Sequence, residues 1–267
     1  MRFAMTIAGS DSSAGAGMQQ DLKVCTMLGV YCATVITSIT AQNTYEVTAI
    51  HDVPPKIVEM QIDEVMRDFP IVFGKTGMLS NHEIVNSVAR KAREHGLKLV
   101  VDPVMVAKSG AVLLKESAVS ALKESLLPIA YFTTPNAHEA EIISGIKVNG
   151  VEEMHEAARR IKGLGPSYVV IKGGHVGGEM VTDVLFNGKT FKEFTYNRVR
   201  TEDTHGGGDT LAAAIASYLS RGYEPVLAYS LARRFMQKSI MSSLRIGKGH
   251  GPVNPMHSMK AFRNMDQ

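Results

Sequence analysis

Short apolar runs alternate along this chain with longer stretches whose apolar residues recur at helical spacing. Met5–Ala8, Thr34–Ile39, Ile71–Lys75, Leu97–Val101, Tyr131–Thr133 and Tyr168–Ile171 predict buried strands. Between and after them, helical periodicity covers Gly15–Leu28, Lys56–Phe69, His82–His95, Glu116–Leu126, His138–Ser144 and Glu152–Leu164. Gly29, Gly96 and Gly165 stand where helix C-caps belong. This order predicts a mostly parallel sheet with helices on both faces. Met180–Phe186 and Thr190–Thr195, joined by Asn187-Gly188, predict an antiparallel hairpin. Two last helices are expected over Thr210–Ser220 and Pro225–Ser243. No linker, repeat or low-complexity segment interrupts the pattern, so residues 1–267 read as a single domain.

In such sheets ligands sit at the carboxyl ends of the strands, and the chain's unusual residues fall there. Gly9-Ser10-Asp11 follows the first strand, Gln42-Asn43 the second, and Lys75-Thr76-Gly77-Met78 the third. Asp102-Pro103, Thr134-Pro135-Asn136 and Lys172-Gly173-Gly174-His175 follow the next three. Six strand ends carrying polar or glycine residues are a stronger signal than any one motif.

Composition narrows the picture. With 45% apolar residues the 267-residue chain can bury a sizeable core. Lysines and arginines number 29 against 26 acidic residues, with no basic run, so nucleic acid is not implied. Cys25 and Cys32 allow neither a disulfide framework nor a zinc pattern, and they read as small buried hydrophobes. No apolar stretch approaches a membrane span, and Met1–Ala8 is too short for a signal peptide core. A soluble, cytoplasmic protein is the expectation.

The densest chemistry lies in Gly206-Gly207-Gly208-Asp209, just ahead of an alanine-rich helix. Glycines opening a helix leave backbone N–H groups free to face an anion. Asp209 then has two readings: a helix cap, or a base that takes a proton from a hydroxyl attacking a phosphoryl group. Gly9 through Gly17 form a glycine-rich βα turn that matches neither a P-loop nor a dinucleotide fingerprint, but it can wrap a small substrate. Asp21, early in the following helix, reads as dipole compensation when taken alone. Asn136 and Glu139 share one face of a helix start. They suit either a hydrated Mg²⁺ or a capping box. Lys172, at the end of an apolar strand, suits a phosphate contact. His175 and His205 are candidates for phosphate, or else plain loop residues. Met78, at a strand end, stands apart from methionines that read as core filler.

Taken together these segments resemble the hydroxymethylpyrimidine kinase / phosphomethylpyrimidine kinase family of thiamine biosynthesis, within the ribokinase-like superfamily. The resemblance rests on Ile7 to Asp11, Gly15 to Gly17 with Asp21, Ala41 to Thr44, Lys75 to Leu79, Val101 to Met105, Thr134 to Asn136, Ile171 to His175, Thr204 to Gly206 and Gly249 to Pro252. It implies a three-layer α/β sandwich and ATP- and Mg²⁺-dependent phosphorylation of 4-amino-5-hydroxymethyl-2-methylpyrimidine and then of its monophosphate. A homodimer is also implied. On the matching positions, Gly9, Asp21, Gln42, Met78 and Val104 fall to the pyrimidine. Asp102, Asn136, Lys172 and Thr204 fall to the nucleotide. Asp102 and Glu139 fall to the metal, Glu139 through water, and Gly206, Gly207, Gly208 and Asp209 to the anion hole and catalysis. The Gln42 amide offers a donor and an acceptor side by side, which matches an aminopyrimidine edge. One departure stands out: the family's usual Thr-His-Gly-Thr-Gly-Cys reads Thr204-His205-Gly206-Gly207-Gly208-Asp209 here. Aspartate at that position is the wider superfamily's base. Pyridoxal kinase and a non-catalytic pyrimidine or nucleotide sensor are the alternatives the sequence leaves open.

Overall fold

In a computed structural model, residues 1–105, 116–175 and 177–259 are described. Nine strands form one sheet: β1 (Arg2–Asp11), β2 (Val30–Gln42), β3 (Val47–Asp52), β4 (Phe73–Thr76), β5 (Lys98–Val101), β6 (Ala130–Thr133), β7 (Tyr168–Ile171), β8 (Met180–Phe186) and β9 (Phe191–Asn197). Their order is β3-β2-β1-β4-β5-β6-β7-β8-β9. From β2 through β7 all neighbours are parallel, while β3 at one edge and β8–β9 at the other run antiparallel. The helices are α1 (Gly17–Met27), α2 (Pro55–Asp68), α3 (His82–Glu94), α4 (Glu116–Ala121), α5 (Ala137–Ser144), α6 (Val151–Gly163), α7 (Gly207–Ser220) and α8 (Pro225–Met241).

The three layers follow from strand alternation. Leu99, Val101, Val169 and Ile171 join the core under α2 to α6, whereas Val100 and Val170 join the core under α1, α7 and α8. Gly29, Gly96 and Gly165 all take positive φ just past a helix end, as expected. The expected α/β sandwich is therefore observed, with two differences. Val47–Asp52 forms an antiparallel edge strand that the apolar pattern did not mark, because its residues are largely exposed and carry no alternation. The helix expected over Glu116–Leu126 begins as α4 and continues as a π-helical turn from Leu122 to Leu126, ahead of Pro128.

Strand order reverses at β1, whose successor β2 lies on one side while β4 and all later parallel strands lie on the other. A crevice opens between diverging connections at such a point. The polar strand ends seen in the sequence all gather on that edge.

Candidate active site

The N-terminus of α7 is built for close backbone approach. Gly206 caps the helix at φ 74°, and a side chain on it would collide with the Gly15 carbonyl. The Gly207 amide is taken by the Thr204 carbonyl at 3.1 Å, so that donor is spent within the turn. This narrows the expected anion hole. The amides of Gly206, Gly208 and Asp209 are left with no backbone partner among the described residues, the last two inside the first turn of the helix. A Cβ on Gly208 would lie 3.0 Å from Asp102 Oδ2 and 3.7 Å from Lys172 Nζ, so the free amides share one floor with those charges. Gly208→Ala is compatible with helical backbone but puts a methyl group there. Its expected result is an unchanged melting temperature with kcat/KM for ATP about 10²-fold lower, the usual worth of a blocked oxyanion donor.

The N-cap of α7 is Gly206, which has no side chain, and Asp209 stands in the first turn. Its Oδ1 accepts from Lys75 Nζ at 2.7 Å, and the Gly17 amide also donates to the carboxylate. Burial pushes the Asp209 carboxyl up, but Lys75, the Gly17 amide and nearby His205 outweigh it and hold it below the usual carboxylate range. The side chain keeps 15% of its surface open. It is thus an ionised carboxylate, aimed across the crevice and not back at its own helix.

On the β5–β7 side, Asp102 Oδ1 accepts from Thr134 at 2.9 Å and from Lys172 Nζ at 3.0 Å. Burial disfavours the Lys172 ammonium, yet Asp102 and Glu139 outweigh it and the net shift is upward. Asn136 and Glu139 form a complete capping box: Asn136 accepts from the Glu139 amide at 2.9 Å, and Glu139 accepts from the Asn136 amide at 2.8 Å. Burial raises the Glu139 carboxyl to about 7 despite Lys172, with Asp102 adding to the rise. The two readings of this pair are therefore not exclusive. Capping fixes Glu139 beside Asp102, and Asp102 Oδ2 keeps no hydrogen-bond partner among the described residues.

Gly9 packs its open face on Met78, where a Cβ would come 2.7 Å from the Met78 methyl. Gln42 lies on the exposed end of β2, bound through its backbone to Ser12; its Oε1 accepts from Thr40 at 3.0 Å. Val104, with Thr76, Gly77, Asp102 and Pro103, lines a small recess between the ends of β4 and β5. Thr204 sits in the turn leading into α7, its amide on the Glu202 carbonyl.

Two sequence expectations change. Asp21 has no exposed surface and does more than complement a helix dipole: it lies beneath the crevice, paired with Lys75 at 2.9 Å and Thr6 at 2.5 Å. His205 is buried, not an exposed loop residue, and it bonds Asp11 at 2.9 Å. Asp11 also accepts from Ser13 and the Ala16 amide, so His205 ties the two glycine-rich turns together. The His175 side chain lies outside the described residues. What sequence reading missed is Lys75. It reads as part of a strand end, and only the fold reveals that it joins Asp21, 54 positions before it, to Asp209, 134 positions after it.

The profile of the phosphomethylpyrimidine kinase family matches residues 11–254. The chain is 46% identical to the hydroxymethylpyrimidine/phosphomethylpyrimidine kinase of Rhizobium meliloti, covering 96% of this chain and 97% of that protein. It is 47% identical to the thiamine biosynthesis bifunctional protein ThiED of Geobacter sulfurreducens, over 97% of this chain but only 53% of that longer protein. Among solved structures it superposes on the pyridoxal kinase of Staphylococcus aureus in complex with ADP with a TM-score of 0.90 at 34% identity, covering 97% and 95% of the two chains. On the phosphomethylpyrimidine kinase of Clostridium difficile the TM-score is 0.81 at 42% identity, covering 90% and 100%. The sheet order, the glycine-led α7 and these matches agree: the chain belongs to the phosphomethylpyrimidine kinase family.

Proposed function

We propose that this protein transfers the γ-phosphoryl group of ATP to the hydroxymethyl group of 4-amino-5-hydroxymethyl-2-methylpyrimidine, and then a second one to the resulting monophosphate. The single observation that carries the chemistry is Asp209: an ionised carboxylate beside two free helix amides, facing away from its own helix. The acceptor oxygen attacks the γ-phosphorus, the bond from that phosphorus to the β–γ bridging oxygen breaks, and the hydroxyl proton passes to Asp209. A carboxylate held this acidic is a weak base, which suits a reaction whose hydroxyl becomes acidic only as the new P–O bond forms. Until then Asp209 orients the hydroxyl. The amides of Gly208 and Asp209 and the Lys172 ammonium meet the charge on the transferring group.

Mg²⁺ fits the donor set. Asp102 and Glu139 are hard oxygen donors, two in number, in keeping with an ion that retains most of its waters. They would hold it beside Lys172, and it would neutralise phosphate charge. A homodimer and a cytoplasmic setting accompany this reading on family grounds alone. Among the described residues no helix is long and apolar enough to cross a membrane.

A second reading, phosphorylation of pyridoxal, is favoured by the close superposition on a pyridoxal kinase. Gln42 separates the two. Its Nε2 keeps no hydrogen-bond partner among the described residues, and an aminopyrimidine offers it adjacent donor and acceptor sites. A coupled ATPase screen over hydroxymethylpyrimidine, its phosphate, pyridoxal and pyridoxine is expected to show the pyrimidines as the better acceptors. Gln42→Leu leaves the substrate's polar edge unpaired, costing about 1–3 kcal/mol, so kcat/KM for hydroxymethylpyrimidine falls about 5- to 150-fold. Any pyridoxal activity falls less. A larger loss on pyridoxal reverses the ranking.

A further inference from the structure

Beneath the catalytic carboxylate lies a polar cluster that the reaction as described does not use. Lys75 on β4 is the direct cross-strand neighbour of Thr6 on β1, so the two share a face of the sheet. That face is covered by α1 and α7. The Lys75 side chain is 1% exposed. Its ammonium lies 2.9 Å from Asp21 of α1 and 2.7 Å from Asp209 of α7.

A buried cation is costly, and a carboxylate offsets that cost only with good geometry and further hydrogen bonds to the remaining protons and lone pairs. Here two carboxylates share one ammonium, and they differ in access. Asp209 opens on the crevice, whereas Asp21 is wholly enclosed and its Oδ1 is buried with no partner among the described residues. Gly77 completes the arrangement, since a Cβ there would meet Lys75 Nζ at 2.8 Å and crowd Asp209 Oδ1 at 3.6 Å. A larger residue at position 77 would have to displace the Lys75 ammonium from its place. A staple made only for stability has no need to end on a carboxylate that opens on the crevice.

We propose that Lys75 is a positioning residue for phosphoryl transfer, fixing the Asp209 carboxylate from below while Asp21 serves as its interior counterion. The proposal rests on the reading of Asp209 as the group that accepts the acceptor's proton. When Asp209 takes that proton, its hold on Lys75 weakens, and Asp21 keeps the ammonium compensated and in place. The charged groups around the pair are Asp21, Asp209 and, further off, Asp102, with His205 adding to the field at Asp209. Two carboxylates coupled through one cation titrate in two separated steps. Those steps belong to the pair; within it Lys75, the Gly17 amide and His205 favour the charged form of Asp209. Asp21 is pushed up to about 7, because burial and the Asp209 charge outweigh Lys75.

The test is the pH profile of kcat/KM for hydroxymethylpyrimidine in Lys75→Met and in the double variant Lys75→Met/Asp21→Asn. The double variant removes the buried cation together with its interior carboxylate. Without Lys75, the largest opposition to burial at Asp209 is gone, and only the Gly17 amide and His205 still favour its charged form. The acid limb of the profile is therefore expected to enter the range between about pH 5 and 8. At pH 6, kcat is expected to fall at least tenfold and to recover at higher pH, with KM for ATP little changed. A folded variant whose profile superimposes on the wild type makes Lys75 a structural staple and overturns the proposal. If neither variant folds, ¹³C NMR of labelled aspartate carboxyls in the wild type and in Asp209→Asn decides. The Asp21 titration is expected near neutrality in the former and well below it in the latter, and identical titrations overturn the proposal. Failure of the underlying reading looks different, because Asp209→Asn itself would then stay active.

Discussion

Asp209→Asn is expected to lower kcat for the hydroxyl acceptor by roughly 10²–10⁴, the ordinary worth of a positioned base, with little change in KM for ATP. The structure sharpens this expectation in two ways. Asparagine is isosteric, and Lys75 keeps Asp21 as a partner, so the variant should fold. The two phosphorylations should also respond unequally. A hydroxymethyl group must lose a proton to be phosphorylated. A phosphate monoester already presents an ionised oxygen at neutral pH, since its second pKa is about 6. The loss on the monophosphate is therefore expected to be at least tenfold smaller than on the alcohol, an estimate within the same base-catalysis range. Steady-state kinetics with each acceptor at saturating ATP checks this. Retention of more than about a third of wild-type kcat on the alcohol would remove Asp209 from the chemistry.

Lys172→Ala is expected to reduce kcat/KM for ATP by roughly 10- to 150-fold, the worth of a charge-assisted hydrogen bond of about 1.5–3 kcal/mol. Lys172 pairs Asp102 at 3.0 Å and stands beside Glu139, so it is the cation nearest the carboxylates expected to meet the metal. Its side chain retains 16% exposure, so water can partly replace the lost partner and the fold should survive with a modestly lower melting temperature. Enzyme activity is normalised to folded protein measured by circular dichroism. A collapse of melting temperature with unchanged kcat/KM per folded molecule would make Lys172 structural.

The differences between sequence reading and structure have local causes. Val47–Asp52 escaped detection because an edge strand exposed on most of its length needs no apolar alternation. Asn136 and Glu139 could not be apportioned between cap and ligand from spacing alone, because both readings use the same face of the same turn. The tertiary structure shows the cap is made, and it also shows why that does not spend the pair. The cap takes the single side-chain oxygen of Asn136 and one of the two of Glu139, and it holds the Glu139 carboxylate near Asp102 and Lys172.

What the sequence determined by itself is what depends on near neighbours along the chain: strands and helices from their periods, glycine caps from positive φ, and the order that makes the sheet parallel. Because parallel strands share one carboxyl edge, it also determined that six polar strand ends would meet there. What only the tertiary structure decided is which polar group each of them finds. Asp21 sits early in α1, where a carboxylate ordinarily complements the helix dipole, and Lys75 reads as the end of a strand. Their pairing with each other and with Asp209 spans the whole chain. Burial alone makes that pairing strong, because charges that water would screen act at full strength once α1 and α7 close over the sheet. Which of the two carboxylates opens on the crevice and which is enclosed is likewise a matter of tertiary packing alone.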